Sequence, residues 1–286
     1  MTAVLEPAEH TALRLLWVDL TRKCQLNCVH CLNDSKAEGT HGTMSRQNWI
    51  SVLDQAKASG VGEVRFIGGE VTMHPDAAEL VSHALDLGLQ TEIFSNLVHV
   101  AAGWWELFQR DGVSVATSYY SDDAAEHDAI TGRRSHARTL ANIGKAVKLG
   151  IVLRVAIVAV HEGQRTGSAR REMEALGVTA VHVSRVRPFG RAAGGQSPDA
   201  ARLCGRCGTG AASVGPDGKV SPCVFSTWMR VGDVRDTSLA DILHSAEMAR
   251  ANSAIQVACG PDEDESDGDD DECSPGFPGS GCSPRR

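Results

Sequence analysis

The most restrictive feature of this chain is an alternation of short apolar runs with amphipathic stretches between residue 15 and about residue 186. The apolar runs predict six strands, at residues 15–20, 63–67, 90–94, 113–118, 151–160 and 180–183. Helical periodicity separates them at residues 45–57, 75–87, 101–109, 135–149 and 167–176. Such alternation predicts an α/β fold with parallel strands, in either an open doubly wound sheet or a partial barrel. In both architectures the functional groups gather at the carboxyl ends of the strands.

Composition and charge restrict the class of protein further. The 286 residues are 42% hydrophobic, which supports a sizeable core and excludes disordered and collagenous chains. Nine acidic residues between Cys259 and Cys273 carry the net charge of −8, so the rest of the chain is close to neutral. Without a basic face, no nucleic acid is expected as a partner. The chain has neither a signal peptide nor an 18-residue apolar run, so we expect a cytoplasmic protein without membrane contact.

The amino-acid composition changes after residue 190. Segments rich in Gly, Ala, Ser and Pro follow, with closely spaced cysteines and one predicted helix around residues 238–249. This predicts two domains, an α/β core at residues 1–190 and a small domain at residues 191–286. A domain with so few large apolar residues usually needs a metal centre to stabilise it.

Three cysteines follow directly on the first predicted strand. Cys24, Cys28 and Cys31 have the spacing Cys-x3-Cys-x2-Cys. In a reducing compartment such cysteines more often bind metal than form disulfides. Three thiolates are sufficient for three irons of a 4Fe–4S cluster and leave the fourth iron open to a small molecule. The alternative is a zinc site completed by His30.

This loop resembles the signature of the radical S-adenosylmethionine (SAM) superfamily, Cys-x3-Cys-x-aromatic-Cys, with His30 in the aromatic position, where it would pack against adenine. The resemblance implies a partial (β/α)6 barrel core and a catalytic 4Fe–4S cluster on the three cysteines. It also implies that SAM binds the open iron and is cleaved by one electron to a 5′-deoxyadenosyl radical that abstracts hydrogen from substrate. The electron would come from an external flavodoxin or ferredoxin.

Polar residues at the other strand ends agree with this resemblance. Gly68-Gly69-Glu70 follows the second strand, where the family holds the methionine amino group; the glycines permit close approach and the carboxylate suits an ammonium. Ser95, Asn96 and Ser118 end the next two strands and contact the nucleoside or methionine in relatives, although such residues also cap helices and turns. Arg154, inside an apolar strand, either meets the methionine carboxylate or forms a salt bridge with a core acid.

A second group of cysteines lies in the carboxyl-terminal part. Cys207 and Cys223 flank a turn at residues 216–218 in the pattern Cys-x10-Gly-x4-Cys, which resembles the start of a SPASM or twitch module with auxiliary iron–sulfur clusters. Residues 187–192 resemble the Pro-x-Gly-Arg-Ala bridge into that module. The remaining cysteines are Cys204, Cys259, Cys273 and Cys282. Six cysteines complete one auxiliary cluster, which we expect on Cys204, Cys207, Cys223 and one of the last three; two incompletely ligated clusters are the alternative.

The nature of the substrate is the least constrained inference. Residues 127–133 resemble an element of SPASM-type peptide maturases, and the adjacent Tyr119 and Tyr120 lie at the predicted active-site edge. Aromatic packing and a role as substrate contact or hydrogen donor both suit these tyrosines. We expect oxidative cross-linking or another modification of a peptide in ribosomal peptide natural-product maturation. Since few residues precede the first strand, recognition of a precursor peptide is expected to come from a separate leader-binding protein or from the carboxyl-terminal module.

Two other functions stay open at this point. The first is a radical dehydrogenase of a small-molecule alcohol, of the aminoglycoside type. The second is a non-catalytic iron–sulfur electron carrier, against which Gly68-Gly69-Glu70 argues, because a carrier needs no methionine site.

Overall fold

The computed structural model describes residues 13–205, 207–208 and 210–259. The acidic run, Cys273 and Cys282 lie outside these residues. The described strands are β1 Leu15–Asp19, β2 Glu63–Ile67, β3 Gln90–Phe94, β4 Val113–Tyr119, β5 Leu153–Ala159, β6 Ala180–Arg185, β7 Ala211–Val214, β8 Lys219–Ser221 and β9 Gly232–Asp233. The α-helices are α1 Arg46–Ala58, α2 Ala77–Asp86, α3 Ala102–Leu107, α4 Ala124–Thr131, α5 His136–Lys148, α6 Thr166–Ala175, α7 Leu239–Leu243 and α8 Ala246–Cys259.

All of the described strands belong to one sheet with the order β6-β5-β4-β3-β2-β1-β7-β8-β9. The first six strands pair in parallel and in sequential order, each joined to the next through at least one helix. A doubly wound sheet would reverse its strand order in the middle. Sequential right-handed crossovers instead place the helices on one face, which gives a partial (β/α)6 barrel. The predicted α/β fold class is confirmed.

The carboxyl-terminal strands extend this sheet on the far side of β1. β7 pairs in parallel with β1, and β7 and β8 form the antiparallel hairpin that the turn at residues 216–218 predicts. The side chains of β1 alternate: Leu16 and Val18 pack in the main core with Trp49 of α1, whereas Leu15 and Trp17 pack with residues after position 188. The core and the carboxyl-terminal part therefore share β1. The boundary between residues 190 and 191 stays a prediction.

Two helical details differ from the sequence prediction. No helix was expected at residues 119–134, yet α4 lies there, capped by the Asp123 side chain, which accepts from the Glu126 amide, and ended by Gly132 at φ +68°. The single helix predicted at residues 238–249 is the pair α7 and α8, with the Ser238 side chain capping the first. In the ranges that the structure describes, no helix has both the length and the apolarity to cross a membrane.

Charged side chains fill part of the barrel interior. Glu92 on β3 accepts hydrogen bonds from Arg154 Nε at 2.5 Å and Arg154 Nη2 at 2.8 Å, and Arg65 Nε lies 3.2 Å from the same carboxylate. All three side chains are buried. Arg154 is the second residue of β5, so it lies towards the amino ends of the strands, with its guanidinium carbon 4.9 Å from the centre of the Phe94 ring. Of the two roles expected for Arg154, the structure shows the core salt bridge.

Candidate active site

The loop that carries Cys24, Cys28 and Cys31 follows β1 at the carboxyl edge of the barrel. Backbone hydrogen bonds fix it against α4, because the amides of Asn27 and Val29 donate to the last carbonyls of that helix at 3.0 Å. A helix leaves its final carbonyls without partners inside the helix, so they are available to a neighbouring segment. α4 thus positions the cysteine loop, although the sequence predicts no helix there.

The guanidinium of Arg191 ties the same loop to the bridge after β6. Its Nε donates to the Cys28 carbonyl at 2.7 Å, its Nη2 donates to the Ser35 carbonyl at 2.9 Å, and its Nη1 pairs with Asp34 at 2.8 Å. The Arg191 amide also donates to the Cys31 carbonyl at 2.9 Å. This planar fork suits several fixed acceptors at once. In the sequence Arg191 is only one residue of the linking motif at 187–192, because its partners lie more than 150 positions away.

The sulfur atoms of the loop have N–H groups directed at them. The Leu26 amide donates to Cys24 Sγ at 3.4 Å, the Ser35 amide donates to Cys31 Sγ at 3.3 Å, and Asn96 Nδ2 lies 3.6 Å from Cys24 Sγ. Such donors stabilise the negative charge of cluster ligands. Burial raises the pKa of Cys24 and of Cys28 to about 12, so metal binding at this loop would release protons. The donor set fits an iron–sulfur cluster.

The zinc alternative lacks such support. Throughout the described ranges, no three His, Cys, Asp or Glu residues surround a point where a single metal ion would sit. His30 packs edge-on against the Tyr120 ring at 5.0 Å between centroids, and its Nδ1 is buried without a hydrogen-bond partner in the described chain. The imidazole is therefore engaged with the cavity wall.

A cavity of about 210 Å³ opens beside the cysteine loop. It brings together most of the residues that the sequence predicted for the cofactor site, namely Cys24, Cys28, His30, Cys31, Gly68, Gly69, Ser95, Asn96, Ser118 and Tyr120. Three predicted residues do not line it, Glu70, Tyr119 and Arg154. Convergence of four strand ends on one cavity is what the barrel topology requires.

Gly68 and Gly69 are needed because their backbone lies against the loop before Cys24. A Cβ on Gly68, which has φ +153°, would lie 2.8 Å from the Thr21 carbonyl oxygen, and one on Gly69 would lie 2.3 Å from the Lys23 carbonyl oxygen. The Gly69 amide donates to Thr21 at 2.7 Å. Glycine permits this approach and leaves the backbone exposed to a ligand.

Glu70 does not line the cavity but contacts residues that do. Its buried carboxylate accepts hydrogen bonds from the Thr72 amide and hydroxyl at 3.2 and 2.7 Å, from the Ser95 hydroxyl at 2.8 Å and from the Asn96 amide at 2.8 Å. Burial raises the pKa of this carboxyl group, and these donors oppose the shift. In the structure Glu70 thus holds Ser95 and Asn96 in place, and its contact with the methionine ammonium stays a prediction.

The two adjacent tyrosines have different surroundings. Tyr120 lines the cavity, whereas the Tyr119 hydroxyl donates to Glu172 of α6 at 2.5 Å and lies 2.7 Å from His136 Nε2 of α5. Neighbouring residues of a strand point to opposite faces, so both rings cannot face the barrel interior. The contacts of Tyr119 with α5 and α6 suit the aromatic packing expected from the sequence, and of the two tyrosines Tyr120 is the one that lines the cavity.

His127 is a cavity residue whose role the sequence analysis did not isolate. It lies on α4, is 1% exposed and contacts the rings of Tyr119 and Tyr120. Burial lowers the pKa of His127 and of His30 to about 4, so both imidazoles are neutral near pH 7. The sequence indicates His127 only through the motif at residues 127–133. Because α4 was not predicted, that motif could not be placed beside the cavity.

Four cysteines of the carboxyl-terminal part lie in one apolar cluster. Cys204, Cys207 and Cys223 are buried there with Trp17 of β1, and Cys259 at the end of α8 packs against them. The Phe225 amide lies 3.5 Å from Cys223 Sγ. This gathering of thiols beside an amide donor fits a second iron–sulfur centre. Cys273 and Cys282 are not among the described residues.

The comparisons with known families agree with this site. Residues 18–165 match the Radical SAM superfamily, and residues 204–274 match SPASM, an iron–sulfur cluster-binding domain. The first match spans more than half of the chain, so the chain belongs to the radical SAM superfamily. The family and SPASM predictions are confirmed, and with them the class of radical SAM enzyme. The fold implies iron–sulfur clusters and SAM as cofactors.

Particular relatives narrow the comparison. The chain is 30% identical over 176 residues to PqqA peptide cyclase of Streptomyces rochei, covering 60% of this chain and 48% of that protein. It spans about half the length of the curated relatives it matches. Streptococcus suis SuiB bound to precursor peptide SuiA is similar with a TM-score of 0.72 at 15% identity, covering 92% of this chain and 69% of SuiB. Native anSMEcpe with bound AdoMet and Cp18Cys peptide is similar with a TM-score of 0.65 at 14% identity, covering 87% of this chain and 84% of that one. Because both identities are low, these two structures show similarity of fold alone.

Proposed function

We propose that this protein abstracts a hydrogen atom from a peptide and thereby catalyses an oxidative modification such as a side-chain cross-link in ribosomal peptide maturation. The observation that carries the proposal is a single cavity between the three-cysteine loop and the polar strand ends, in a molecule with four further cysteines clustered against β1. Three relatives support the peptide, since one is named a peptide cyclase and two were solved with peptides.

The chain's own residues have separable roles in this chemistry. Cys24, Cys28 and Cys31 hold the catalytic cluster, which together with bound SAM supplies a 5′-deoxyadenosyl radical for hydrogen abstraction. The exposed backbone at Gly68-Gly69 and the neighbouring Asn96 hold the methionine end of SAM. His30 and Tyr120 form one wall of the cavity and, as neutral rings, keep water from the reacting atoms.

The auxiliary site is proposed to hold one 4Fe–4S cluster on Cys204, Cys207, Cys223 and Cys259. The fourth ligand is chosen because the Cys259 thiol lies 3.5 Å from the Leu203 carbonyl oxygen, directly beside Cys204 in sequence. Reconstituted protein is then expected to contain about eight irons per chain, two cubanes. Cys259→Ala reduces the count towards four, and Cys282→Ala, the matched control, leaves it at eight. About twelve irons in the wild-type protein contradicts this assignment.

The activity is tested in two stages. Reconstituted, reduced protein incubated with SAM releases 5′-deoxyadenosine, Cys28→Ala abolishes the release, and the neighbouring exposed Val29→Ala retains it. No release from the wild-type protein refutes the proposed chemistry. A short precursor peptide encoded beside the gene is then added. A cross-link would lower its mass by about 2 Da, because one hydrogen atom leaves with 5′-deoxyadenosine and a second leaves as a proton to solvent and an electron to the auxiliary cluster. Turnover of a small-molecule alcohol with no peptide product favours the dehydrogenase instead.

Partners and domain organisation are proposed on the same basis. A flavodoxin or ferredoxin supplies the electron, and a separate protein binds the leader of the precursor. The core occupies residues 1–190 and the cluster-binding domain residues 191–286. Pull-down of the precursor by this chain alone, at the affinity seen with the leader-binding protein present, removes the need for that partner.

A further inference from the structure

A buried cation with no counter-ion among the described residues lies between the barrel and the second group of cysteines. Arg187 follows β6 by two residues, at the carboxyl edge of the barrel, and is 8% exposed. Its Nη1 and Nη2 are buried and have no hydrogen-bond partner among the described residues. By contrast, the buried Arg65 and Arg154 share the carboxylate of Glu92.

A buried guanidinium is costly unless an anionic group meets it. A charge taken out of water needs a partner of opposite sign or a set of hydrogen bonds. The contact that Arg187 does make is with an aromatic ring, since its guanidinium carbon lies 4.7 Å from the centre of Phe225. A cation–π contact replaces only part of the lost hydration. The guanidinium is therefore placed to receive an anionic group.

The surroundings of Arg187 indicate which anion this is. Phe225 contacts Arg187 through its ring, and its amide lies 3.5 Å from Cys223 Sγ. Phe189, two residues after Arg187, packs on Phe225 at 5.7 Å and belongs to the same apolar cluster as Cys204, Cys207 and Cys223. A 4Fe–4S cluster held by four thiolates is itself an anion. The aromatic residues that surround Arg187 thus also pack against the carboxyl-terminal cysteines.

We propose that Arg187 is the counter-ion of the auxiliary cluster and sets its reduction potential. This rests on the auxiliary cluster assigned under the proposed function. Reduction adds negative charge to the cluster, and a buried guanidinium nearby favours the reduced state, because net charge and local donors set the potentials of such centres. Arg187 is a positioning residue for charge, not a ligand.

The test compares three full-length, reconstituted variants with the wild-type protein by redox titration monitored with electron paramagnetic resonance. The signal that SAM does not alter reports the auxiliary cluster. Arg187→Gln is expected to lower the equilibrium constant for reduction of the auxiliary cluster at least tenfold. This lowers its reduction potential by about 59 mV for one electron. Arg187→Lys, which keeps the charge, shows a smaller shift. Arg185→Gln, an exposed neighbour on the same strand end, shows none.

A second measurement uses the apo and loaded forms of one variant. Arg187→Met raises the melting temperature of the apo-protein, because it removes a buried charge that has no partner among the described residues. The gain disappears once the clusters are reconstituted, since the charge then has its anion. A variant that loses stability equally in both forms indicates packing alone and overturns the proposal.

The remaining outcomes are equally decisive. An unchanged auxiliary potential in Arg187→Gln overturns the proposal, as does an equal shift in Arg187→Gln and Arg187→Lys at full iron content. Loss of auxiliary iron from Arg187→Gln but not from Arg187→Lys supports the proposal, and loss from both variants overturns it. A wild-type protein with no auxiliary signal also overturns it. The proposed activity is judged separately, by 5′-deoxyadenosine release at the first cluster.

Discussion

Two buried carboxylates in this protein are stabilised by different kinds of partner. Glu92 in the barrel interior is paired with the guanidinium groups of Arg65 and Arg154. Glu70 at the edge of the active-site cavity instead receives four hydrogen bonds from neutral groups. The first arrangement depends on opposite charge and the second on fixed dipoles. Substitutions at the two sites should therefore differ in their dependence on pH.

Arg154→Met is expected to lower the free energy of unfolding of the apo-protein by about 1.5–3 kcal/mol, because it removes the bidentate partner of Glu92 and leaves only Arg65 at 3.2 Å. Urea denaturation followed by circular dichroism measures this. The exposed Arg170→Met, which loses only a surface pair with Glu174, should cost about 0–1 kcal/mol. Unchanged stability with weakened SAM binding in Arg154→Met would restore the methionine-carboxylate role.

Glu70→Gln tests the neutral arrangement through its pH dependence. Burial raises the pKa of Glu70 above its ordinary value of 4.5, so the folded protein holds this proton more tightly than the unfolded chain. The resulting stabilisation is fully present below pH 4.5 and is lost as the pH rises through the folded pKa. Glu70→Gln cannot titrate, so the stability of the wild-type protein should fall relative to the variant as the pH rises. The exposed Glu106→Gln serves as the control, and parallel curves for wild type and Glu70→Gln contradict the argument.

At the scale of elements, the cysteine loop depends on α4. The loop amides of Asn27 and Val29 use the last carbonyls of this helix, and Gly132 ends the helix at φ +68° directly against the loop. A Cβ on Gly132 would lie 2.5 Å from the Asn27 carbonyl oxygen. The helix terminus and the cluster loop therefore cannot move independently.

Gly132→Ala is accordingly expected to reduce iron at the first cluster more than it reduces stability. Gly150→Ala is a matched control, because Gly150 has the same φ of +68° but no atom within 4 Å of its added Cβ. Both variants bear the left-handed strain of about 1–2 kcal/mol. In Gly132→Ala alone, the loop must also shift, so its release of 5′-deoxyadenosine falls. Equal iron content in the two variants would show that the contact with Asn27 is unimportant.

The sequence predicted elements well where periodicity is strong and poorly where short helices occur. The second and third strands were predicted with the bounds they have, because apolar residues run between clear turn signals. α4 was missed because its eight residues carry little amphipathic contrast. Local signals were available, since Asp123 precedes Glu126 at capping distance and Gly132 follows at the end.

The candidate site was predictable where backbone topology decides it and not where side-chain direction does. Spacing placed the cysteines, Gly68 and Asn96 at one edge, because parallel strands end together. Strand alternation separates Tyr119 from Tyr120, and only the fold shows which of them faces inward. Long-range pairs such as Arg154 with Glu92, or Arg191 with the Cys28 carbonyl, leave no spacing in the sequence.

At the scale of the whole molecule, the core and the carboxyl-terminal part are joined by a shared sheet. β7 pairs with β1, and the Arg14 and Leu15 amides donate to the Gly210 carbonyl at 2.8 and 3.0 Å. Trp17 of β1 is fully buried against residues from beyond position 200, among them Leu203 and Ile255. Each such side chain contributes about 1.5–3 kcal/mol when buried. The two proposed domains, at residues 1–190 and 191–286, therefore share a sheet and an apolar cluster in the described ranges, and we expect them to unfold together.

Cleavage of the backbone between the two parts tests this. A protease site is inserted within the exposed residues 194–199. Cleavage there breaks the chain beyond Arg191 and leaves the contacts of β1 intact. The two fragments should elute together on gel filtration and separate only in urea, because the β1–β7 pairing and the burial of Trp17 hold them. The uncut insertion variant, which should unfold in one transition, is the control. Fragments that separate without denaturant, or two transitions in the uncut protein, would instead establish the 190/191 boundary as a division between independent domains.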